Sequence, residues 1–306
     1  MAGAAGRMAA VTGLTVAAFI LAGCAAGGSH VTSTSTAGAS GGDYGGYGLR
    51  PQRVLHAPGS MLAATEFQAN GVMWALTGPG SAGLFQISSA TGQVKSRFSV
   101  SDFARSVAES RTGVIALALD TGRSGALQLI NAGTRKVTRV VRLPWPAEQV
   151  AVARGSSTFY VLTARAGQAR VMIVNGQDGR VAGAVAVLPD VTSVVPGARP
   201  GTLYAIERNG LLDVIGVPGS KLVARIRAGS GGGESVALSP DGRTLYVLEQ
   251  LGGIANIALV NPATRLVEKV LPAPGSCVQV LVSPGGGHLY EVVRTAGTGS
   301  IQVTAA

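Results

Sequence analysis

From residue 49 to residue 306 apolar and polar side chains alternate in short runs, the period-2 pattern of strands with a buried face. About every ten residues a Gly, Pro, Asn or Asp interrupts the run and turns the chain. The pattern also repeats. Gly71-Val72-Met73-Trp74, Gly113-Val114-Ile115, Ser157-Thr158-Phe159-Tyr160, Gly201-Thr202-Leu203-Tyr204, Arg243-Thr244-Leu245-Tyr246 and Gly287-His288-Leu289-Tyr290 resemble one another. Their anchors at 74, 115, 160, 204, 246 and 290 are separated by 41, 45, 44, 42 and 44 residues. A second phase follows in each copy, as in Leu127-Gln128-Leu129-Ile130-Asn131 and Ile257-Ala258-Leu259-Val260-Asn261.

Each repeat therefore predicts four short strands. One four-stranded sheet cannot bury both faces, and radial packing of such sheets solves that problem. Ser239-Pro240-Asp241-Gly242 and Ser283-Pro284-Gly285-Gly286 supply turns between first and second strands. Together with Arg243-Thr244-Leu245-Tyr246-Val247 and Asn261-Pro262-Ala263-Thr264-Arg265, they resemble the YVTN/lactonase-like β-propeller families. The fold class expected is all-β, a β-propeller. At about 43 residues per unit the 258 residues of 49–306 make six blades, although many YVTN-like propellers have seven. The last unit ends after its third strand, near Val303, and residues 50–56 are expected to supply the missing fourth strand and close the ring.

Residues 1–23 do not fit this pattern. Arg7 precedes an uncharged run, residues 8–23, that is shorter than the ~20 residues needed to cross a bilayer as a helix. A basic start, a short apolar stretch and small residues describe an export signal. Leu21-Ala22-Gly23-Cys24 resembles the lipobox of bacterial lipoproteins. The resemblance implies cleavage before Cys24, a lipid on its thiol, and residence on the extracytoplasmic side of a bacterial cell membrane. Residues 24–48, rich in Gly, Ser, Thr and Ala, read as a flexible tether with a mean reach of roughly 27 Å.

Composition narrows the classes further. With 46% hydrophobic residues, wholesale disorder is excluded, and two cysteines, Cys24 and Cys277, exclude a disulfide scaffold or a paired-cysteine metal site. The net charge is +10, and propeller topology sorts it by face. Turns joining strands one to two and three to four hold Arg111, Arg135, Lys136, Arg154, Arg180, Arg199, Lys221, Arg243 and Arg265 against Glu109, Asp178 and Asp241, about +6. The opposite turns mix signs. The tether is expected to emerge on the basic face, which would then meet anionic lipid or a wall polymer. Its turns lack the aromatics on which nucleic-acid bases stack.

The mouth on the other face is expected where first strands begin, at Arg105-Ser106, Glu148-Gln149, Thr192-Ser193, Glu234-Ser235 and Val278-Gln279. Arg105, Glu148, Gln149, Glu234 and Gln279 are the candidate contacts for a small ligand or an envelope protein. Trp145, between Pro144 and Pro146, is either a rim aromatic for a partner or a packing residue. Gluconolactonase-like propellers hold a divalent metal in this mouth with Glu, Asn and Asp. Here two glutamates align and no Asp or Asn does, and no His lies beside them for acid–base work. The predicted role is accordingly a binding scaffold, with a lactonase-like hydrolase as the alternative, and no cofactor is expected. Cys277 has no histidine to activate it and reads as a buried small side chain. The run Gly229-Ser230-Gly231-Gly232-Gly233 lacks the Lys and helix of a phosphate loop and is expected to be a flexible loop.

Overall fold

The computed structural model describes residues 51–65, 71–78, 82–88, 91–217, 219–295 and 298–306. The signal-like segment, Cys24 and the tether lie outside the described residues. Strand β1 (Arg53–Pro58) comes first and is followed by blade 1: β2 (Met61–Ala64), β3 (Val72–Thr77), β4 (Gly83–Ser88) and β5 (Val94–Ser99). Blade 2 is β6 (Ala104–Glu109), β7 (Val114–Asp120), β8 (Gly125–Asn131) and β9 (Val137–Leu143). Blade 3 is β10 (Ala147–Val152), β11 (Thr158–Arg165), β12 (Gln168–Asn175) and β13 (Val181–Val187). Blade 4 is β14 (Val191–Pro196), β15 (Thr202–Glu207), β16 (Leu211–Gly216) and β17 (Lys221–Arg227), and blade 5 is β18 (Gly232–Leu238), β19 (Leu245–Leu251), β20 (Ile254–Asn261) and β21 (Leu266–Ala273). Blade 6 takes β22 (Cys277–Val282), β23 (His288–Thr295) and β24 (Thr298–Ala305) from the C-terminus and β1 as its outer strand, in the order β1-β24-β23-β22.

The closing strand thus pairs as the sequence predicts, antiparallel to β24 with Arg53 opposite Val303 and Pro58 opposite Thr298. It begins three residues later and ends two residues later than the expected 50–56. Six sheets, each wound in simple antiparallel order, complete the ring.

Burial explains why the sheets must stand side by side. Buried apolar residues fall into six clusters, one for each seam between neighbouring blades. The blade 2–3 seam, for example, joins Leu127, Leu129 and Val141 to Val150, Phe159 and Val161. Alternate residues of one inner strand feed opposite seams: Leu289 packs toward blade 5, whereas Tyr290 and Val292 pack toward blade 1. Each inner strand is therefore apolar on both faces, and polar residues move to the outermost strands, such as β9, where Val137, Thr138 and Arg139 are exposed.

Turns follow local chemistry. In Ser239-Pro240-Asp241-Gly242 the serine hydroxyl donates to Asp241 (2.6 Å) and accepts from the amides of Arg243 and Thr244 (3.1 and 2.9 Å). Asn131, Asn175 and Asn261 accept from backbone amides two or three residues ahead, holding the turns between third and fourth strands. These side-chain bonds replace ladder bonds lost where the chain reverses.

One segment differs from expectation. The glycine run at 229–233 is packed, and its last two residues open β18. A Cβ on Gly229 would overlap the Glu249 carboxylate, and one on Gly233 would overlap Ile206. Close approach, rather than mobility, is the reason for the missing side chains.

Candidate functional site at the channel mouth

The first strand of every blade lines a central cavity of about 210 Å³. Each of these six strands carries a register shift against its neighbour, between Met61 and Ala63, Ala104 and Ser106, Ala147 and Gln149, Val191 and Ser193, Gly233 and Ser235, and Cys277 and Gln279. The extra residue in each β-bulge is Leu62, Arg105, Glu148, Thr192, Glu234 or Val278, and all six border the cavity. Bulging re-aims one side chain per blade toward the axis, so every one of the five mouth pairs predicted from sequence is brought together.

The residue after each bulge does something else. Ser106, Ser193 and Ser235 accept hydrogen bonds through Oγ from the amides of Val150, Val236 and Val280 in the next blade, at 3.2, 3.3 and 3.3 Å. Gln149 grips the backbone of Val194 with both ends of its amide, accepting at 3.0 Å and donating at 3.1 Å. Gln279 does the same to Ala64 at 2.8 and 3.3 Å. Five seams are thus stapled around the channel, and the sixth, between blades 1 and 2, has Ala63 in the stapling position. Gln149 and Gln279 lie at the cavity as expected, but their amides are spent on neighbouring blades rather than offered to a ligand. Thr192 adds another tie, donating to Gly233 at 2.7 Å.

What remains free for recognition is charged. Arg105 pairs with Asp120 at 3.4 Å in a half-exposed contact. At the exposed rim, desolvation and then the neighbouring Asp120 carboxylate raise the affinity of Glu148 for its proton, while Arg208 and Arg105 oppose them. Glu234 completes the group at the opposite side of the cavity. Around the cavity itself Glu148 and Glu234 against Arg105 leave about −1 in a chain of net charge +10.

Glu148 and Asp120 also border an open cleft of about 770 Å³ on the same face, walled by Arg123, Pro146, Arg165, Gln168 and Pro189. Trp145 adjoins it but is only 9% exposed, with the Arg170 guanidinium stacked 4.7 Å from its ring centre. Of its two possible roles, the indole takes packing, because that cation and the surrounding chain cover it.

Cys277 is fully buried, and its thiol donates to the Gln279 carbonyl at 3.4 Å. Burial, and then the nearby Glu291 carboxylate, push it up to about 12, which suppresses the thiolate. His56 and His288 lie on the surface, in β1 and at the start of β23. Among the described residues no three His, Cys, Asp or Glu side chains gather as metal ligands would.

Sequence reasoning missed the buried acids. Glu109, counted among the turn charges, is the last residue of β6 and is buried, bonded to Trp74; burial pushes it up to about 7. Glu291 is 2% exposed, accepts from Thr304 at 3.2 Å, and is likewise raised to about 7 by burial. In blade 4, Arg225 holds Asp213 through two bonds (2.7 and 3.2 Å) and Glu207 at 3.1 Å. Such burial depends on which seam a side chain enters, which alternation alone does not reveal.

Many solved structures share this architecture. The structure of U3-55K aligns with 84% of this chain and 100% of its own, with a TM-score of 0.62 and 11% identity. The WD40 repeats of RRP9 align over 83% and 97%, with the same TM-score and identity. The fold is a β-propeller. No protein-family model matches the chain, and no curated protein matches it in sequence. The propeller's likeness to these structures speaks to its fold, and its site is read from its own residues.

Proposed function

We propose that this chain is a membrane-tethered, extracytoplasmic propeller that acts as a protein-binding scaffold, receiving its partner on the mouth face. The observation that carries this reading is that Glu148 lines both the cavity and the cleft, beside the cleft residue Asp120, which pairs with the cavity's Arg105. A cavity of about 210 Å³ is below the ~300–1,000 Å³ of ordinary small-molecule sites, but it suits one inserted side chain. The adjoining cleft has room for the segment that carries it. The acidic balance of the mouth favours a Lys or Arg as the inserted group. The lipobox-like Cys24 and the tether support placement at a membrane, and mass spectrometry of the chain extracted from membranes would test the lipid.

The partner site is tested by placing a photocrosslinking residue at Thr192, at the mouth, and separately at Arg199, on the opposite turns, in intact cells. Capture of one discrete protein from position 192, lost on Glu148→Gln with Glu234→Gln, is expected. Capture from position 199 alone would overturn the assignment.

A further inference from the structure

All nine cations of the turns opposite the mouth are exposed. With Glu109 withdrawn into the interior, Asp178 and Asp241 are the carboxylates left among them, and they sit 3.8 and 3.9 Å from Arg180 and Arg243. The balance is therefore nearer +7 than the +6 read from sequence.

Two of these cations are held at a backbone cost. In the turn between third and fourth strands the fifth residue donates its amide to the carbonyl of the first: Gly92 to Ser88, Arg135 to Asn131, Gly179 to Asn175 and Arg265 to Asn261. That residue is left-handed, with φ of 70° at Gly92 and 69° at Gly179. Blades 2 and 5 place arginine there, at φ 58° and 64°. A side chain in this region is strained where glycine is not, and neither arginine forms an ion pair with a described residue. The fold would be served better by glycine, so the charge at the turn tip has another use.

The chain also enters the propeller at this face. Gln52 donates to the Val303 carbonyl at 2.7 Å, and β1 runs from there toward the mouth. The first described residues therefore lie beside the basic turns. We infer that the basic turn face is a docking surface for an anionic lipid bilayer, with Arg135 and Arg265 as projecting contacts. The choice of lipid rests on the membrane-tethered reading above, because a reach of roughly 27 Å keeps this face next to the bilayer that holds the anchor. Contact close to the surface lies within the Debye length.

The test uses the chain with Cys24→Ser, so that no lipid attaches, mixed with vesicles of phosphatidylcholine alone or with added phosphatidylglycerol. Binding to the anionic vesicles only is expected, weakening as salt rises. Arg135→Gly and Arg265→Gly should each weaken it about fivefold and leave Tm unchanged or raised. The corresponding Asn variants, which tolerate the left-handed region, should lose as much. Lys269→Gln, on outer strand β21, should cost less. Equal binding to both vesicles, losses no larger than for Lys269→Gln, or losses only where Tm falls would overturn the proposal. Binding to soluble polyphosphate with none to vesicles would also overturn it, in favour of a polymer. A Cys24 found without lipid would defeat the tether reading and leave the vesicle result standing.

Discussion

Burial favours the protonated form of a carboxyl, and it holds Glu109 and Glu291 in that form up to about pH 7 against an ordinary value of 4.5. Between those limits the unfolded chain has released protons that the folded chain retains. Raising the pH through this window therefore favours unfolding: the contribution is whole below 4.5 and gone above 7. Each group accounts for on the order of 3 kcal/mol across the window. Tm measured at constant ionic strength should be lower at pH 8 than at pH 5 by at least about 5 °C, and Glu109→Gln with Glu291→Gln should flatten the difference. A Tm that does not change, or rises, between the two would show that these carboxyls are ionised in the fold. The glycine at 233 belongs to the same scale. Gly233→Ala should destabilise by about 1–3 kcal/mol, because the new methyl meets Ile206 and the Glu207 backbone carbonyl. Unchanged denaturant stability would mean that the strand can step aside.

At the scale of elements, strands and turns were legible because the same aromatic or aliphatic anchor returns in every second strand, flanked by turn residues. The mouth was legible for the same reason, since corresponding positions converge in a ring. The bulges and staples were hidden: Gln149 and Gln279 carry groups that suit a ligand as well as a neighbouring backbone. A signal was nevertheless present. Ser106, Gln149, Ser193, Ser235 and Gln279 recur at one phase of the repeat, and a polar residue repeated around a ring serves the ring before it serves a single ligand. Gln149→Ala should consequently cost about 1–3 kcal/mol by leaving the Val194 backbone unpaired. Ala63→Ser should stabilise by about 0.5–1.5 kcal/mol, supplying an acceptor for the Val107 amide at the one unstapled seam. Chemical denaturation reads both. If Gln149→Ala cost nothing while partner capture fell, the glutamine would belong to recognition instead.

At the scale of the whole molecule, closure and the missing staple meet in blade 1. One side of that blade is its seam with blade 2, where Ala63 offers no hydrogen bond. The other side depends on β1, whose Leu55 (2% exposed) joins Met73, Phe85 and Ile301 in one cluster. A ring of repeats opens first where its neighbour terms are weakest. Leu55→Ala removes about 2–5 kcal/mol of packing from this closing seam. Hydrogen exchange should then quicken in β2–β5 and β22–β24 while β11–β16, on the far side of the ring, keep their protection. Uniform acceleration through all six blades would instead mean that the ring melts as one unit and that the closing strand is no weaker than the rest. The location of the opening matters for the two faces. The described chain enters the ring at the closing strand, whereas the acidic mouth group lies on blades 2, 3 and 5, so opening at the closing seam disturbs blades 6 and 1 before it reaches Glu148.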